Sequence, residues 1–436
     1  MSIIASGLLL LALTILAVIY PPAIASLNLL VASPDTPAIG VSFTHFVRIP
    51  VAMIHALTVL AVCSALWKLR CAARTAPGAA RKLTVAKISI GVCIWIGLSV
   101  FAVTGSMSRA VLEMLSCGVY GVVLALAYHR SRSAMILLLT PVVLHLLLSL
   151  GITYLPGSPL AILRPMSTSG LDESLFGVSS DGITRVSAQF NNAVPLSFHA
   201  AAAMTAGIYM VLSARGLVVR LLGSVVLGLG VWVSYMTVER AIWVGIIVGA
   251  FVLLLPIARR SGTKKIVSVT YFASVLLVVH LLVNNVGSKT IDNLGSFFLS
   301  AGQASYRLNA AVNSVDILLS RPGFGTGGDV TQVLQAAGGL PHQSFYSTAV
   351  LYGIPAGLGV LLLGLLGLPF GARTTAGESE THGLTQTERT LALAVGCIVV
   401  AMALSNNMSA GMLGWICLGF ACLPRIYRRN SWSSHA

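Results

Sequence analysis

The residues of this chain best suited to chemistry lie in one polar stretch, residues 305–359, between long apolar segments. It contains Arg307, Arg321 and His342, and Gln343 follows the histidine at the start of another apolar segment. The planar guanidinium of arginine binds phosphate oxygens in a forked geometry. A histidine at a membrane surface can accept a proton near neutral pH. The stretch therefore predicts a site that binds a phosphorylated group and moves a proton.

Two shorter polar constellations lie elsewhere. Glu239 and Arg240 are adjacent in a tight turn between two apolar segments, where Arg240 is suited to a pyrophosphate and Glu239 to orienting it. An ordinary ion pair at the membrane edge, worth little stability if exposed, is the alternative. Arg185 shortly precedes Asn191 and Asn192, and such an asparagine pair usually caps a helix start.

Composition decides which elements must position these residues. Hydrophobic residues make up 56% of the 436 positions and charged residues only 9%, whereas soluble domains carry about 25%. Backbone groups in hydrocarbon must pair internally, and long apolar runs achieve this as helices. We therefore expect an all-α integral membrane protein with about twelve transmembrane helices. The predicted spans are roughly 3–20, 47–67, 87–105, 109–128, 133–153, 191–213, 221–236, 241–257, 266–283, 342–368, 390–405 and 410–424.

Lysine and arginine predict the orientation. Of the 27 basic residues, 19 fall on one side of a twelve-span arrangement, which the positive-inside rule makes cytoplasmic. Both termini are expected on that side. The other side holds Arg48, Arg109, Arg164, Arg185, Arg240, Lys289, Arg307 and Arg321. Because the basic residues are divided among short loops, the net charge of +15 indicates topology and argues against nucleic-acid binding.

The chain is interpreted as a single polytopic membrane domain, 1–436, with two long outward loops at 154–190 and 284–341. In the second loop, apolar residues at helical spacing over 305–319 predict an amphipathic helix on the membrane or on the bundle. A glycine-rich bend and a short helix over 329–337 follow. None of the 7 cysteines is expected in an outward loop, and no metal-binding motif occurs. We therefore expect no cofactor and a metal-independent reaction.

The order of these motifs resembles the O-antigen ligase and polymerase superfamily of membrane glycosyltransferases. Arg307 is followed by Arg-Pro-Gly-Phe-Gly-Thr-Gly, then by His342-Gln343, and then, after nine intervening residues, by Gly353. The matched part covers roughly residues 185–359 and is most specific around His342. Ala356 departs from the ligase pattern, which commonly has Gly, Thr or Tyr after that glycine.

The resemblance implies an inverting glycosyltransferase on the periplasmic face of a bacterial inner membrane. Its donor would be O-antigen linked to undecaprenyl diphosphate, and its acceptor the lipid A–core oligosaccharide. His342 would be the general base, and Gln343 and Glu239 would support the site. The arginines that would bind the diphosphate are Arg240, Arg307, Arg185 and Arg321.

Three alternatives stay open. An O-antigen polymerase would use a growing lipid-linked glycan as acceptor. A polysaccharide-lipid transporter would show internal repeats and charged groups near the middle of the bilayer, and Glu113 is a candidate for such a group. A structural scaffold would tolerate substitution of His342.

Overall fold

In the residues that the computed structural model describes, the protein is almost entirely α-helical, as the predicted all-α fold class requires. The structure describes residues 3–32, 37–75, 77–155, 158–163, 176–178, 184–186, 188–190, 193–213, 216–237, 249, 301–339, 341, 343–368, 392–393, 395–396, 398–399 and 411–426. The helices there are α1 (Ile3–Ile19), α2 (Pro21–Val31), α3 (Pro37–Val47), α4 (Val51–Ala73), α5 (Pro77–Thr104), α6 (Met107–Ser116), α7 (Gly121–Tyr128), α8 (Arg132–Tyr154), α9 (Ala193–Ser213), α10 (Leu217–Thr237), α11 (Ala301–Ser320), α12 (Val330–Ala337), α13 (Ser344–Tyr352), α14 (Ile354–Gly367) and α15 (Met412–Ile426).

Six stretches of the described part are long and apolar enough to cross a membrane. They are Val51–Ala73, Gly78–Thr104, Met107–Tyr128, Ser133–Tyr154, Val194–Val211 and Leu217–Ser234. The protein is therefore a multi-pass membrane protein by length and composition. Twelve spans are not shown, and the predicted spans 241–257, 266–283 and 390–405 lie wholly or largely outside the described residues.

Glycines let α9 and α10 pack closely. A Cβ on Gly207 would lie 2.7 Å from the carbonyl oxygen of Gly223, and one on Gly230 would lie 2.8 Å from that of Ala200. Small residues at such positions let two membrane helices approach, because packing replaces the hydrophobic effect that lipid does not supply. The pair forms one wall of the bundle.

The basic ends of several helices meet at one face, which we call the basic face. The Lys68 ammonium lies 4.3 Å from the ring centroid of Tyr128, and Arg81 donates to the carbonyl of Ile426. These contacts bring together the end of α4, the start of α5 and the ends of α7 and α15. The opposite face, where α5 ends at Thr104 and α6 begins at Met107, is called the α5–α6 face.

Helix α1 runs in the same direction as α4, whereas the predicted arrangement makes the consecutive spans 3–20 and 47–67 antiparallel. The Ser6 hydroxyl donates to the carbonyl of Val47, just before α4, while Ser64 within α4 donates to Val18 near the end of α1. The Tyr20 hydroxyl then reaches Ser133 at the basic face. The start of α1 therefore lies on the α5–α6 face. Between the predicted spans 3–20 and 47–67 the structure has α2, which turns back into the bundle.

The predicted span 109–128 is interrupted between α6 and α7. Gly118 has a φ of 69°, and a Cβ there would lie 2.9 Å from the backbone nitrogen of Met412. Ser89 of α5 donates to the carbonyl of Val119 at 2.7 Å, and the Tyr120 hydroxyl donates to that of Leu115 at 2.9 Å. Irregular backbone is tolerated inside a membrane protein where protein groups satisfy it in this way.

The outward loop 154–190 contains local structure that the sequence did not predict. A 3₁₀-helix covers Pro159–Leu163, and strands β1 (Phe176–Val178) and β2 (Thr184–Val186) form an antiparallel pair. In that pair Gly177 is opposite Arg185. The loop ends in Ala188, Gln189 and Phe190, which are buried.

Candidate functional site

The polar stretch around residue 321 enters the bundle beside α13. The Ser314 hydroxyl lies 3.3 Å from the hydroxyl of Tyr346, which donates to the carbonyl of Ala311 at 2.9 Å. Farther along, the amide of Ile354 donates to the carbonyl of Pro322 at 2.8 Å. Eight residues separate Ser314 from Pro322, and eight also separate Tyr346 from Ile354. The second half of α11 and α13 therefore run side by side in the same direction.

The chain turns at the end of α11 and returns along α5. The indole nitrogen of Trp95 lies 3.3 Å from the carbonyl oxygen of Gly323, and its ring stacks on Phe324 with centroids 5.8 Å apart. A Cβ on Gly327 would lie 2.5 Å from that of Val103, close to the end of α5. At 1.5 Å per residue, the turn lies about 13 Å inside the end of α5 at Thr104. We call residues 311–328 the re-entrant segment.

The predicted span 342–368 is two helices, because α13 ends at Tyr352 and α14 begins at Ile354. The last carbonyls of a helix lack partners within it. Here those of Val350 and Leu351 accept from the amides of Thr326 and Gly328, at 3.1 and 3.0 Å. The re-entrant segment therefore docks on the end of α13 through backbone hydrogen bonds.

The carbonyl of Tyr352 is satisfied from α5. Ser99 donates to it at 2.7 Å, and the indole nitrogen of Trp95, which also contacts Gly323, lies 3.2 Å away. Gly353 has a φ of 91°, and a Cβ on it would fall well inside the van der Waals radius of the Gly323 carbonyl oxygen. The glycine that follows His342 in the sequence motif is thus required for this close contact.

Four of the seven predicted site residues lie in the described part. Arg321 follows the end of α11 at the turn of the re-entrant segment, with an exposed side chain. Gln343 is half-buried at the N-cap position of α13. The backbones of Arg307 and Arg185 belong to α11 and β2. His342, Arg240 and Glu239 lie outside the described residues, so the predicted convergence stays a prediction.

The register of α11 and α13 separates the two arginines of the stretch. Arg321 lies near the end of α13 and Gln343 at its beginning, about 15 Å apart along the axis. On the same register Gln343 is level with Ala311, and Arg307 lies about one turn, ~6 Å, farther out. The backbone of Arg307 is therefore closer in height to the start of α13 than that of Arg321.

Sequence reasoning did not assign Tyr352 to the site and left Glu113 outside it. The Tyr352 hydroxyl donates to the Glu113 carboxylate, and both lie where Gly328 packs against α6 and α13. A single carboxylate within the apolar stretch Met107–Tyr128 was the available signal. Its partner, more than two hundred residues away, was not visible in the sequence.

Gln189, which follows Arg185 at the end of the outward loop, has a structural role, whereas Asn191 and Asn192 lie outside the described residues. Gln189 is fully buried between α8 and α9; its amide nitrogen donates to the His145 carbonyl at 2.8 Å, and its oxygen accepts from Ser149 at 2.9 Å. The Nε2 of His145 lies 3.0 Å from the carbonyl of Leu29, so that nitrogen carries the proton. Gln189 thus anchors the end of the outward loop in the bundle.

Within the described ranges, no three His, Cys, Asp or Glu side chains come together in a way that could hold a metal ion. The expectation of a metal-independent reaction is not tested by this observation and stays a prediction.

Comparisons with protein-family models and with curated protein sequences found no match. The resemblance to O-antigen ligases therefore rests on the motif residues themselves.

Proposed function

We propose that this protein is a membrane glycosyltransferase that transfers O-antigen from undecaprenyl diphosphate to the lipid A–core oligosaccharide. The observation that supports the proposal best is the pairing of α11 with α13. It puts the helix that contains Arg307 alongside the helix whose first turn follows His342. A reaction that needs cations and a proton acceptor side by side requires such an arrangement.

The transfer has two requirements. The acceptor hydroxyl must lose its proton as it attacks the sugar, and the departing diphosphate must be stabilised. In the proposed mechanism His342 accepts the proton, and Arg240 and Arg307 bind the diphosphate with help from Arg185 and Arg321. Glu239 would orient Arg240, and Gln343 would orient His342 or the acceptor. The reaction would be inverting, and the arginines would neutralise the leaving group without a metal ion.

The proposed location is a bacterial inner membrane, with the α5–α6 face toward the periplasm. The basic face would then be cytoplasmic, as the positive-inside rule requires. Both substrates are lipids with large polar glycans, so membrane lipids would surround the site.

Purified protein in liposomes with defined donor and acceptor tests the proposal. We expect covalent transfer by the wild type, and losses of about 10²–10³ in rate for His342→Ala and Arg240→Ala. Arg70→Ala, at an exposed position near the basic face, is the matched control. Wild-type transfer by both site variants, confirmed to be folded and inserted, would disprove the proposed site. Inhibition by EDTA with rescue by Mg²⁺ would argue against a clamp made only of protein.

A transporter is the second candidate, and a specific observation favours considering it. The described part of the chain has two interrupted helices, α6–α7 and α13–α14, and a carboxylate inside an apolar stretch. Such features surround substrate sites in transporters. Movement of donor lipid across liposomes without any covalent product would favour this candidate.

Deletion phenotypes separate ligase from polymerase. Loss of all polymer from lipid A–core indicates a ligase, whereas retention of a single attached repeat indicates a polymerase. A scaffold would tolerate His342→Ala in both assays.

A further inference from the structure

Tyr352 is held at both of its ends by different helices. Its carbonyl accepts from Ser99 and Trp95 of α5, and its hydroxyl donates to Glu113 of α6. The residue lies at the break between α13 and α14, where the backbone has no regular helical pairing. Tyr352 therefore joins the broken end of α13 to two neighbouring helices.

Glu113 is unusual for its surroundings. It is the single acidic residue in the six candidate spans of the described part, and it is partly buried. Ionisable groups inside a membrane are costly and commonly serve function. A hydrogen bond donated to a carboxylate is stronger than one between neutral groups, so the Tyr352 hydroxyl offsets part of that cost. Arg109, one turn earlier on α6, supplies an opposite charge on the same side of the helix.

The hydrogen-bonded pair of Glu113 and Tyr352 contacts the end of the re-entrant segment, at Gly328. A Cβ on Gly328 would lie 3.1 Å from a ring carbon of Tyr352 and 3.7 Å from the Glu113 carboxylate oxygen. The amide of Gly328 donates to Leu351, the residue before Tyr352. A shift of the tyrosine therefore moves the surface on which the segment rests.

We infer that Glu113 is a positioning residue: through Tyr352 it fixes the re-entrant segment, and with it Arg321, against the end of α13. The kinetic part of this inference rests on the proposed function. The structural part does not, and it can be measured in a protein without known activity.

The first experiment measures how tightly the segment is docked. A cysteine replaces Thr326, which is fully buried in the re-entrant segment, in a background in which exposed Cys63 and Cys71 are serine. Labelling by a membrane-permeant maleimide is compared with the same background lacking the new cysteine. Because position 326 is shielded while the segment is docked, we expect Tyr352→Phe and Glu113→Ala to raise its labelling rate about tenfold, the effect of losing one charge-assisted hydrogen bond.

Tyr20→Phe is the matched control, because the hydroxyl of Tyr20 also bonds a side chain but lies at the basic face. Unchanged labelling in Glu113→Ala and Tyr352→Phe, with only a lower unfolding temperature, would mean a purely structural role and overturn the inference.

The second experiment uses transfer kinetics. A misplacement of about 1 Å can cost about 10² in rate, so we expect Glu113→Ala to lower kcat by up to that factor and to raise KM for the donor. Glu113→Gln keeps an acceptor oxygen without the charge and should recover part of the loss. The double variant Glu113→Gln with Tyr352→Phe should be no worse than the poorer single variant, and additive losses would contradict the coupling.

The two experiments test separate claims, so a negative result in one leaves the other informative. Absence of transfer by the wild type would remove the proposed function, and the labelling of position 326 would still decide whether Glu113 positions the segment.

Discussion

The contact between Gly353 and the re-entrant segment gives the sharpest test of the structure. Gly353→Ala adds one methyl group at a backbone position with a φ of 91°. With a ψ of 162° this backbone conformation is essentially restricted to glycine, and holding an L-residue in it costs about 1–3 kcal/mol. The new Cβ would also occupy the place of the Gly323 carbonyl oxygen, so that carbonyl must move by roughly 1 Å or more to restore ordinary contact.

The movement breaks identifiable hydrogen bonds. The Ile354 amide lies 2.8 Å from the Pro322 carbonyl, and the Trp95 indole lies 3.3 Å from that of Gly323. Each loss costs about 1 kcal/mol, and more where a buried carbonyl is left unpaired. Together with the backbone strain, we expect Gly353→Ala to destabilise the protein by about 3–6 kcal/mol. At roughly 2 °C per kcal/mol for a chain of this size, the unfolding temperature falls by about 6–12 °C.

Gly323→Ala is the matched control from the other side of the same contact. Nothing lies within 4 Å of its Cβ position, so we expect a change below about 1 °C. Thermal unfolding of both variants in one detergent, followed by intrinsic fluorescence, makes the comparison. Equal unfolding temperatures for the two variants would refute the docking of the re-entrant segment on the end of α13.

Three further predictions concern other parts of the bundle. Trp95→Phe keeps a ring against Phe324 but removes the donor to Gly323 and Tyr352, so thermal unfolding should show a loss of about 1–2 kcal/mol. Ser89→Ala leaves the Val119 carbonyl without its hydroxyl donor and should cost about 1–3 kcal/mol, whereas Ser64→Ala, at a more exposed hydrogen bond, should cost less than 1 kcal/mol. Burial, followed by the charge of Lys82, lowers the pKa of His129 to about 3. Because the unfolded chain binds this proton near pH 6.5, the stability from neutral His129 is complete above that pH and is lost as the pH falls from 6.5 toward 3. Unfolding temperatures over that range should therefore vary less in His129→Gln, and an identical profile would contradict the assignment.

Local sequence signals predicted several elements well. The helix predicted over 329–337 is found at Val330–Ala337, capped by Asp329, whose carboxylate accepts from the amide of Gln332. The helix predicted over 305–319 is found at Ala301–Ser320. Periodicity and capping act within a few residues, so they can be interpreted without knowledge of the fold.

The face that α11 turns to its neighbours was not predictable from its apolar stripe. Leu308, Val312 and Leu319 are 63%, 58% and 68% exposed, whereas Ala310 and Ser314 are buried. In a soluble protein the apolar stripe would face the core. A membrane protein can direct it outward, because the surrounding lipid is as apolar as the interior.

Helix breaks were the main feature that the sequence concealed. The apolar segments around Gly118 and Gly353 looked continuous because hydropathy measures solvation and not backbone pairing. Whether a helix can stop inside a membrane depends on donors that reach its free carbonyls from elsewhere in the chain. The Thr326 amide supplies one for Val350, and Ser99 supplies one for Tyr352.

The sequence by itself determined that the chain is a helical membrane protein, and it singled out the stretch that contains Arg307, Arg321 and Gln343. Composition suffices for this because burial of backbone in hydrocarbon leaves the helix as the favoured structure for long apolar runs. Only the tertiary structure decided that α11 lies beside α13, that its loop enters the bundle, and that Glu113 bonds Tyr352. These are contacts between residues far apart in the chain, and no local pattern specifies which distant groups will meet.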